Sequence, residues 1–275
     1  MVVARYKEDL EWLTEVPDHF QIIVYNKGPF IESEGALKRI SRVIERENNL
    51  GREADTYLKF LCDGWGRSSE WSVFTQGDPF SHSPDFLQLL HSQHLWKDMQ
   101  PLTWRWLEER FIPPPELLES ERDAWIGALR IRKERYSLHT WNSFGFDDSG
   151  AISLGRAYAN HHGLSGGSNL AAHFFASAGM EDLAVQAEEA DFGVFNYGAI
   201  FAVRNSLIDA LRADSLSKLL EISSGHYTHP YLLEKLWLHL FGEPFLHMTG
   251  GESSIPNRAP SPELAEIPPV GELSF

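Results

Sequence analysis

The sequence predicts an α/β protein whose mixed, mostly parallel sheet is flanked by helices. Residues 2–6 (VVARY) and 20–25 (FQIIVY) are short segments rich in β-branched and aromatic residues, which is typical of strands. Residues 8–13 between them predict a short amphipathic helix that ends before Pro17. Strands that alternate with helices indicate a parallel sheet.

The next elements continue this alternation. Residues 51–61 predict a helix capped by Asn48 or Asn49, and residues 72–75 predict a third strand. The helix would bury one apolar stripe, formed by Ala54, Tyr57, Leu58 and Leu61. A further helical pattern covers residues 84–106. The first part of the chain is therefore a β-α-β-α-β series, an arrangement typical of nucleotide-binding domains.

A proline-rich segment suggests how the chain is divided. Ile112-Pro-Pro-Pro-Glu116 interrupts the helical pattern and is the predicted internal boundary. We therefore predict one domain over residues 1–242, with halves at 1–110 and 117–242. The Pro- and Gly-rich residues 243–275 predict a C-terminal tail.

In the second half, residues 137–170 are rich in Gly, Ser, Asn and His and predict long surface loops. Residues 192–203 predict one strand, and residues 231–241 predict an almost wholly apolar helix. A helical segment is also predicted to carry five basic residues, namely Arg122, Arg130, Arg132, Lys133 and Arg135. This basic cluster is either a solvated helix face or a surface that contacts phosphates.

Composition narrows the class of protein. With 275 residues, of which 43% are hydrophobic, the chain can bury a sizeable core. No apolar run is long enough for a membrane helix, and we expect no secretory signal at the N-terminus. The single Cys62 excludes an internal disulfide, so we expect a reducing, cytoplasmic location. The net charge of −15 disfavours nonspecific binding to nucleic acids.

The segment WSVFTQGDPF, residues 71–80, carries the most informative polar residues. Gln76, Gly77 and Asp78 follow the predicted strand, and open parallel sheets bind ligands beyond the carboxyl ends of their strands. The Asp78 carboxylate could bind a divalent cation on a diphosphate, with the amide oxygen of Gln76 beside it. A second protein ligand would come from elsewhere, the candidates being His226, His229 and His239. Each of these histidines could instead be a packed or loop residue.

Polar residues also follow the first strand. The Tyr6 ring could stack on a base, and the carboxylates of Glu8 and Asp9 could accept hydrogen bonds from a base or a ribose. The two acids could instead be first-turn helix residues, which the helix dipole favours.

Two further charged residues are candidates for chemistry. Arg52 opens the second helix, where it could hold a phosphate or could form a salt bridge with Glu53 or Asp55. Glu234 lies in an apolar helix, and burial would raise its pKa and make it a general base. It could instead pair with an arginine such as Arg204.

Several motifs of other enzyme classes are absent from the sequence. The neighbouring His161 and His162 lack the i, i+4 spacing of a helical zinc site. The chain has no Gly-x-Ser-x-Gly, no Gly-x-Gly-x-x-Gly after the first strand and no P-loop. These absences argue against a serine hydrolase, a dehydrogenase and an NTPase.

Five segments taken together resemble a domain family of unknown function whose core is similar to GT-A glycosyltransferases. In chain order they are VVARYKEDLEWL, NLGREADTYLKFL, VFTQGDPFSHSPDF, FNYGAIFAVRNSLI and HPYLLEKLWLHLFG. The resemblance spans residues 2–242 and implies a GT-A-like, Rossmann-type domain. It also implies a nucleotide-sugar donor, with a UDP-sugar as the first expectation, and Mn²⁺ or Mg²⁺ as a metal cofactor.

The resemblance assigns roles to individual residues. Gln76-Gly77-Asp78 stands where GT-A enzymes commonly have Asp-x-Asp, so Asp78 matches the second acid and the first is replaced. The other residues are assigned by position: Tyr6, Glu8 and Asp9 to the nucleoside pocket, Arg52 and Asp55 to the ribose or diphosphate, Lys27 to the leaving diphosphate, Asn196 and Tyr197 to the acceptor, and Glu234 to the catalytic base or acid.

The implied function is transfer of a sugar from a nucleotide sugar to an acceptor hydroxyl, either of a saccharide or of a hydroxylated base in DNA. Two other functions remain open. The replaced acid at Gln76 favours a non-catalytic module that binds a nucleotide sugar or a glycan. The 12 histidines favour a metal-dependent hydrolase.

Overall fold

The structure is a computed structural model that describes residues 1–47, 49, 51–64, 69–104, 125–126 and 129–247. Within these residues the strands are β1 (Val2–Arg5), β2 (Ile22–Asn26), β3 (Ile40–Glu45), β4 (Trp71–Gln76), β5 (Met99–Pro101), β6 (Trp125–Ile126), β7 (Leu129–Arg130), β8 (Glu134–Ser137), β9 (Phe192–Phe195) and β10 (Phe201–Arg204).

The α-helices of the described residues are α1 (Glu34–Arg39), α2 (Arg52–Asp63), α3 (Phe86–His91), α4 (Ser149–His161), α5 (Leu170–Ser177), α6 (Glu181–Glu188), α7 (Asn205–Asp209), α8 (Ala213–Ser223) and α9 (His229–Leu240). Short 3-10 turns cover Glu11–Glu15, Gln93–Leu95 and Tyr197–Ala199. None of the described helices combines the length and the apolar character that crossing a membrane requires.

Six strands form a mixed sheet in the order β3-β2-β1-β4-β10-β5. The first four strands of this order are parallel to one another, and β10 runs antiparallel to both β4 and β5. The predicted α/β class with a mostly parallel mixed sheet is therefore confirmed. Two smaller antiparallel pairs, β6 with β7 and β8 with β9, lie outside this sheet.

Alternating residues of the strands enter two separate hydrophobic cores. Val2 and Phe74 belong to the core that packs against α2 and α9, whereas the adjacent Val3 and Val73 belong to the core that contains α3. Because successive side chains of a strand point to opposite faces, both faces of the sheet are covered. This explains why the predicted strands have near-continuous hydrophobic sequences.

Several local predictions match the structure. Strands were expected at 2–6, 20–25 and 72–75, and β1, β2 and β4 lie there. The helices expected at 51–61 and 231–241 are α2 and α9. The helix expected at 8–13 is a 3-10 turn instead. The capping prediction was wrong for Asn49, because Gly51 precedes α2 and no side chain caps it, and Asn48 lies outside the described residues.

The helix predicted over residues 84–106 was wrong in extent. The chain leaves α3 after His91, makes a 3-10 turn and then enters β5, because Met99–Pro101 pair with the antiparallel β10. The predicted boundary at 112–116 and the tail beyond residue 247 lie outside the described residues.

The predicted loops of residues 137–170 contain the helix α4. Its N-terminus is capped by Asp148, whose carboxylate accepts a hydrogen bond from Ala151 N at 3.2 Å. Gly155 weakens the helical pattern but allows close packing, since a Cβ there would lie 2.8 Å from Trp141 Cβ. The strand predicted over 192–203 is two strands, β9 and β10, in different sheets.

The predicted basic helix was also wrong. Its described part forms β6, β7 and the start of β8, and Arg122 lies outside the described residues. The buried Arg132 pairs with the buried Glu134 at 2.9 Å, and Lys133 pairs with Glu243 at 2.7 Å. These ion pairs neutralise the charges of Arg132 and Lys133, two of the residues that the sequence suggested for phosphate binding.

Candidate functional site

The candidate site lies at the carboxyl edge of the parallel strands. The loops after β1, β2 and β4 emerge there side by side because these strands are neighbours and parallel. Three further elements complete the site. The first turn of α2 is hydrogen-bonded to Lys27 after β2, and the Tyr197–Ala199 turn is hydrogen-bonded to Gln76 at the end of β4. The helix α9 is hydrogen-bonded to that turn and to Arg52.

Glu234 is the acid with the most distinctive environment. It projects from α9, and its Oε1 accepts a hydrogen bond from Gly198 N at 2.9 Å. Burial, together with the charge of Glu53, raises the pKa of Glu234 to about 7, although Gly198 N–H, Lys235 and Arg52 act in the opposite direction. A carboxyl group with such a pKa exchanges protons near neutral pH, as a general base must. The predicted alternative, a pair with Arg204, is not formed, because that arginine pairs with Glu70 and Asp98.

Gly198 connects Glu234 to the end of β4. While its N–H donates to Glu234, its carbonyl oxygen accepts a hydrogen bond from Gln76 Nε2 at 2.8 Å. Gly198 has φ = +74°, and a Cβ at this position would lie 2.6 Å from Cδ2 of His82. Both the backbone conformation and the packing therefore require glycine here.

Arg52 begins α2 and is near enough to Glu234 for its charge to lower the pKa of that carboxyl group. Its Nη1 donates to Tyr231 Oη at 2.7 Å, and its guanidinium carbon lies 4.8 Å from the centre of the Tyr231 ring. Its Nε is 3.6 Å from Glu53 Oε2, so the predicted salt bridge to that residue is present. About half of the Arg52 side chain nevertheless remains exposed to solvent.

The backbone of Arg52 is held in an uncommon conformation. Its φ is +49°, and its carbonyl oxygen accepts a hydrogen bond from Lys27 Nζ. A non-glycine residue at positive φ is strained and persists when the surrounding structure fixes it. The buried Lys27, whose pKa burial lowers to about 8, supplies that restraint.

Asp55 is committed to cations of the protein. Its carboxylate is 3.0 Å from Arg46 Nη2 and 3.9 Å from Lys27 Nζ, and the residue is buried. The structure therefore places Asp55 in an internal ion network beneath Arg52, rather than at an open surface beside a ribose.

The loop after β1 lines an open cavity of about 540 Å³, together with the loop after β2. Glu8 Oε2 accepts hydrogen bonds from Tyr6 N at 2.6 Å and Lys7 N at 3.0 Å. Asp9 Oδ1 accepts one from Glu11 N at 3.0 Å and so starts the 3-10 turn. Both acids thus organise the loop, which leaves Tyr6 half-buried at its bend.

Asp78 is exposed at the carboxyl end of β4, and its Oδ1 accepts a hydrogen bond from Phe80 N at 3.1 Å. Glu8 lies close by, since a Cβ on Gly77 would be 2.6 Å from Glu8 Oε2. In the part of the chain that the structure describes, no three His, Cys, Asp or Glu side chains are arranged to hold a metal ion. Asp78 would therefore need oxygen atoms of a substrate to complete a cation site.

His239 does not contribute a ligand to a cation site at Asp78. It is fully buried, its Nε2 accepts from Val194 N at 3.0 Å, and its Nδ1 donates to Glu243 O at 2.8 Å. Burial lowers the pKa of His239 to about 4, so the ring is neutral. The weak prediction of a metal ligand here is corrected, because backbone groups occupy both ring nitrogens.

Histidines 226 and 229, the other predicted ligands, belong to a cluster of five imidazoles on α4, α5 and the start of α9. Nε2 of His162 and Nε2 of His229 are 3.0 Å apart, and the rings of His161 and His226 stack at 3.9 Å. The fifth member, His173, has its Nδ1 2.7 Å from Tyr158 Oη. Besides contacting one another, these rings form hydrogen bonds with the hydroxyl groups of Tyr158 and Thr228 and with the Ile222 carbonyl.

The predicted acceptor residues differ in placement. Asn196 is fully buried, and its Nδ2 donates to Ile200 O at 2.7 Å, so it shapes the turn and does not face an acceptor. Tyr197 is half-buried and meets the His82 ring edge to face at 4.9 Å.

The sequence named Glu53 as a partner of Arg52 but did not identify three other contributors to the site, namely His82, Gly198 and Tyr231. One signal was available: Tyr231 precedes Glu234 by three residues, so both lie on one face of a helix. The other two, His82 and Gly198, are placed by long-range contacts. Comparison of the chain with protein-family models, curated proteins and solved structures finds no match.

Proposed function

We propose that the protein is a glycosyltransferase that moves a sugar from a nucleotide-sugar donor to an acceptor hydroxyl. One observation carries the proposal: Glu234, with a pKa raised to about 7, lies at the carboxyl edge of the parallel strands within range of the charge of Arg52, which donates a hydrogen bond to Tyr231 on the same helix. A proton acceptor and a cation in one site are what such a transfer needs.

In the proposed reaction, Glu234 accepts the proton of the acceptor hydroxyl while the oxygen of that hydroxyl bonds to the anomeric carbon of the donor sugar. The bond from that carbon to the diphosphate oxygen breaks, and the leaving diphosphate takes the electron pair. Arg52 stabilises the charge on the diphosphate, since its exposed guanidinium can form paired hydrogen bonds with phosphate oxygens. Lys27 acts behind it by holding the Arg52 carbonyl group.

The donor would lie across the loops that follow β1 and β4. The cavity of about 540 Å³ that Glu8 and Asp9 help to line offers room for the nucleoside, and Tyr6 precedes these residues in the same loop. Asp78 would lie at the diphosphate, where Mn²⁺ or Mg²⁺ would add positive charge when bound. A saccharide acceptor fits the acidic chain better than DNA, because Arg132 and Lys133 are already paired with acids.

The first test is a screen for the donor. Thermal unfolding of the protein should be measured with nucleoside diphosphates and nucleotide sugars, with and without Mn²⁺. The midpoint temperature of unfolding should rise with the ligands that contain one particular nucleobase. Hydrolysis of the same nucleotide sugar should then be measured in wild type, Glu234→Gln, Asp78→Ala and the control Glu221→Gln, which changes an exposed acid on α8.

We expect Glu234→Gln to lower turnover by roughly 10²- to 10⁴-fold, the contribution typical of a general base, and Glu221→Gln to leave it unchanged. Asp78→Ala should weaken any effect of Mn²⁺ on binding. Full turnover by Glu234→Gln would contradict the assigned base. Binding without turnover would instead support the non-catalytic module, and stoichiometric zinc in the purified protein would support the hydrolase.

A further inference from the structure

We propose that Gln76 is a positioning residue for Glu234, which acts by fixing the Gly198 peptide groups that bind the Glu234 carboxylate. The role of Glu234 as a base rests on the proposed function, whereas the hydrogen-bonded connection does not. Gln76 would then position the proposed base, whereas the sequence suggested it as the residue that replaces the first metal-binding acid.

The connection has two hydrogen bonds and one residue between them. Gln76 Nε2 donates to Gly198 O at 2.8 Å, and Gly198 N donates to Glu234 Oε1 at 2.9 Å. The two groups of Gly198 belong to consecutive planar peptides joined at one Cα, so fixing the carbonyl restricts the direction of the N–H. Gln76 ends β4 and Glu234 lies on α9, so the turn links two elements of the fold.

The surroundings hold the turn from other sides as well. Tyr57 Oη donates to Ala199 O at 3.1 Å, and His82 packs against the Cα of Gly198. Ala199 has φ = +52°, which is unfavourable for a residue with a side chain and requires restraint by neighbours. Of the two hydrogen bonds to this turn from Gln76 and Tyr57, the one from Gln76 is made to the residue that binds Glu234.

The hydrogen bond from Gly198 N–H also affects the pKa of Glu234. The Gly198 N–H favours the ionised carboxylate and opposes the effect of burial on its pKa. If the turn loosens, this hydrogen bond weakens and the pKa of Glu234 rises above about 7. A rise of about one unit would lower the ionised fraction at pH 7 from about one half to about one tenth.

The test uses Gln76→Leu, which removes the amide donor and retains a side chain of similar volume. The control Gln93→Leu removes a glutamine that meets His19 at 3.1 Å. The Glu234 carboxyl carbon should be followed by ¹³C NMR during a pH titration, with its signal assigned by its loss in Glu234→Gln. We expect Gln76→Leu to raise the pKa by at least half a unit and Gln93→Leu to leave it in place.

A second pair of variants covers the case in which Gln76→Leu fails to fold. Gly198→Ala should displace the turn through the contact with His82 and raise the same pKa. His82→Ala combined with Gly198→Ala removes that contact and should return part of the shift.

The NMR titration needs no substrate, so it remains decisive if no transferase activity is found. An unchanged Glu234 pKa in folded Gln76→Leu would overturn the proposal. Loss of nucleoside diphosphate affinity at an unchanged pKa would also overturn it, because Gln76 would then contact the donor. Where turnover is measurable, the rising limb of its pH profile should move to higher pH in Gln76→Leu.

Discussion

At the scale of single residues, the charges of the site differ in how far they are committed. Asp55 is paired with Arg46 and Lys27, whereas Arg52 keeps about half of its side chain exposed. The Glu234 carboxylate accepts a hydrogen bond from one backbone N–H, whereas burial and the charge of Glu53 disfavour its ionised form. Of these three residues, Arg52 and Glu234 are therefore the ones whose charged groups can act on a bound substrate.

The raised pKa of Glu234 predicts a pH-dependent stability. Its ordinary value is 4.5 and its folded value is about 7, so the folded state binds more protons between these values. Stability attributable to this group is therefore lost as the pH rises through that window. We expect Glu234→Gln to unfold at a higher temperature than wild type at pH 8 and at a similar temperature at pH 4.

This comparison requires scanning calorimetry at several pH values with Glu221→Gln as the control. Glutamine can still accept the hydrogen bond from Gly198 N, so the variant removes the charge and retains the contact. Equal shifts at pH 4 and pH 8 would show that Glu234 does not change protonation on folding.

At the scale of elements, the five-histidine cluster joins α4 and α5 to the start of α9. Nε2 of His162 and Nε2 of His229 are 3.0 Å apart, so one ring must donate and the other accept. His229 Nδ1 donates to Ile222 O at 2.5 Å, which leaves its Nε2 as the acceptor. The contact between the helices therefore requires a neutral His229 ring, with His162 as the donor.

We expect acid to weaken this contact. Burial, with the neighbouring histidines, lowers the pKa of His162 from 6.5 to about 4, and burial also lowers those of His173, His226 and His229. The unfolded chain then binds more protons between pH 6.5 and about 4, so stability falls as the pH falls through that window. Unfolding temperature in this range should depend less steeply on pH in His162→Asn than in wild type.

The exposed His94 lies outside the cluster, so His94→Asn is the matched control. Carboxylates titrate at the lower end of the same range, and the difference between the two variants removes their contribution. Identical slopes in both variants would contradict a role for the cluster in acid sensitivity.

At the scale of the whole molecule, aromatic rings connect the sheet to the helices that position the site. Phe74 of β4 lies 5.0 Å from Tyr57 of α2 and 5.1 Å from Phe201 of β10, measured between ring centres. The ring of Trp237 on α9 is 5.6 Å from Tyr57. This packing fixes α2 and α9 relative to β4, and therefore Arg52 and Glu234 relative to Gln76.

Phe74→Ala should accordingly destabilise the protein. Phe74 is fully buried, and truncating such a ring costs about 3–5 kcal/mol through lost burial and an unfilled cavity. Chemical unfolding should show this loss, whereas Phe30→Ala, at a residue that is 75% exposed, should change stability by less than about 0.5 kcal/mol. A loss below about 1 kcal/mol for Phe74→Ala would mean that the core repacks around the truncated side chain.

Prediction from the sequence worked where local pattern and burial agree. The strands β1, β2 and β4 are buried on both faces and have the hydrophobic runs that this requires. The edge strand β3 was missed because Ser41 and Arg42 are exposed and interrupt its apolar pattern. The helix α4 was missed because its glycine, serine and histidine residues resemble a loop until packing against Trp141 is known.

The sequence by itself determined the α/β class, the order of the main elements and the carboxyl edge on which polar residues gather. It also identified Arg52, Gln76 and Glu234 individually, since each stands at a helix start, a strand end or within an apolar helix. Only the tertiary structure decided that Gln76 and Glu234 bind the same glycine and that Asp55 is held by cations. Such pairings join residues far apart in the chain, and burial together with hydrogen-bond geometry sets them, which local periodicity does not encode.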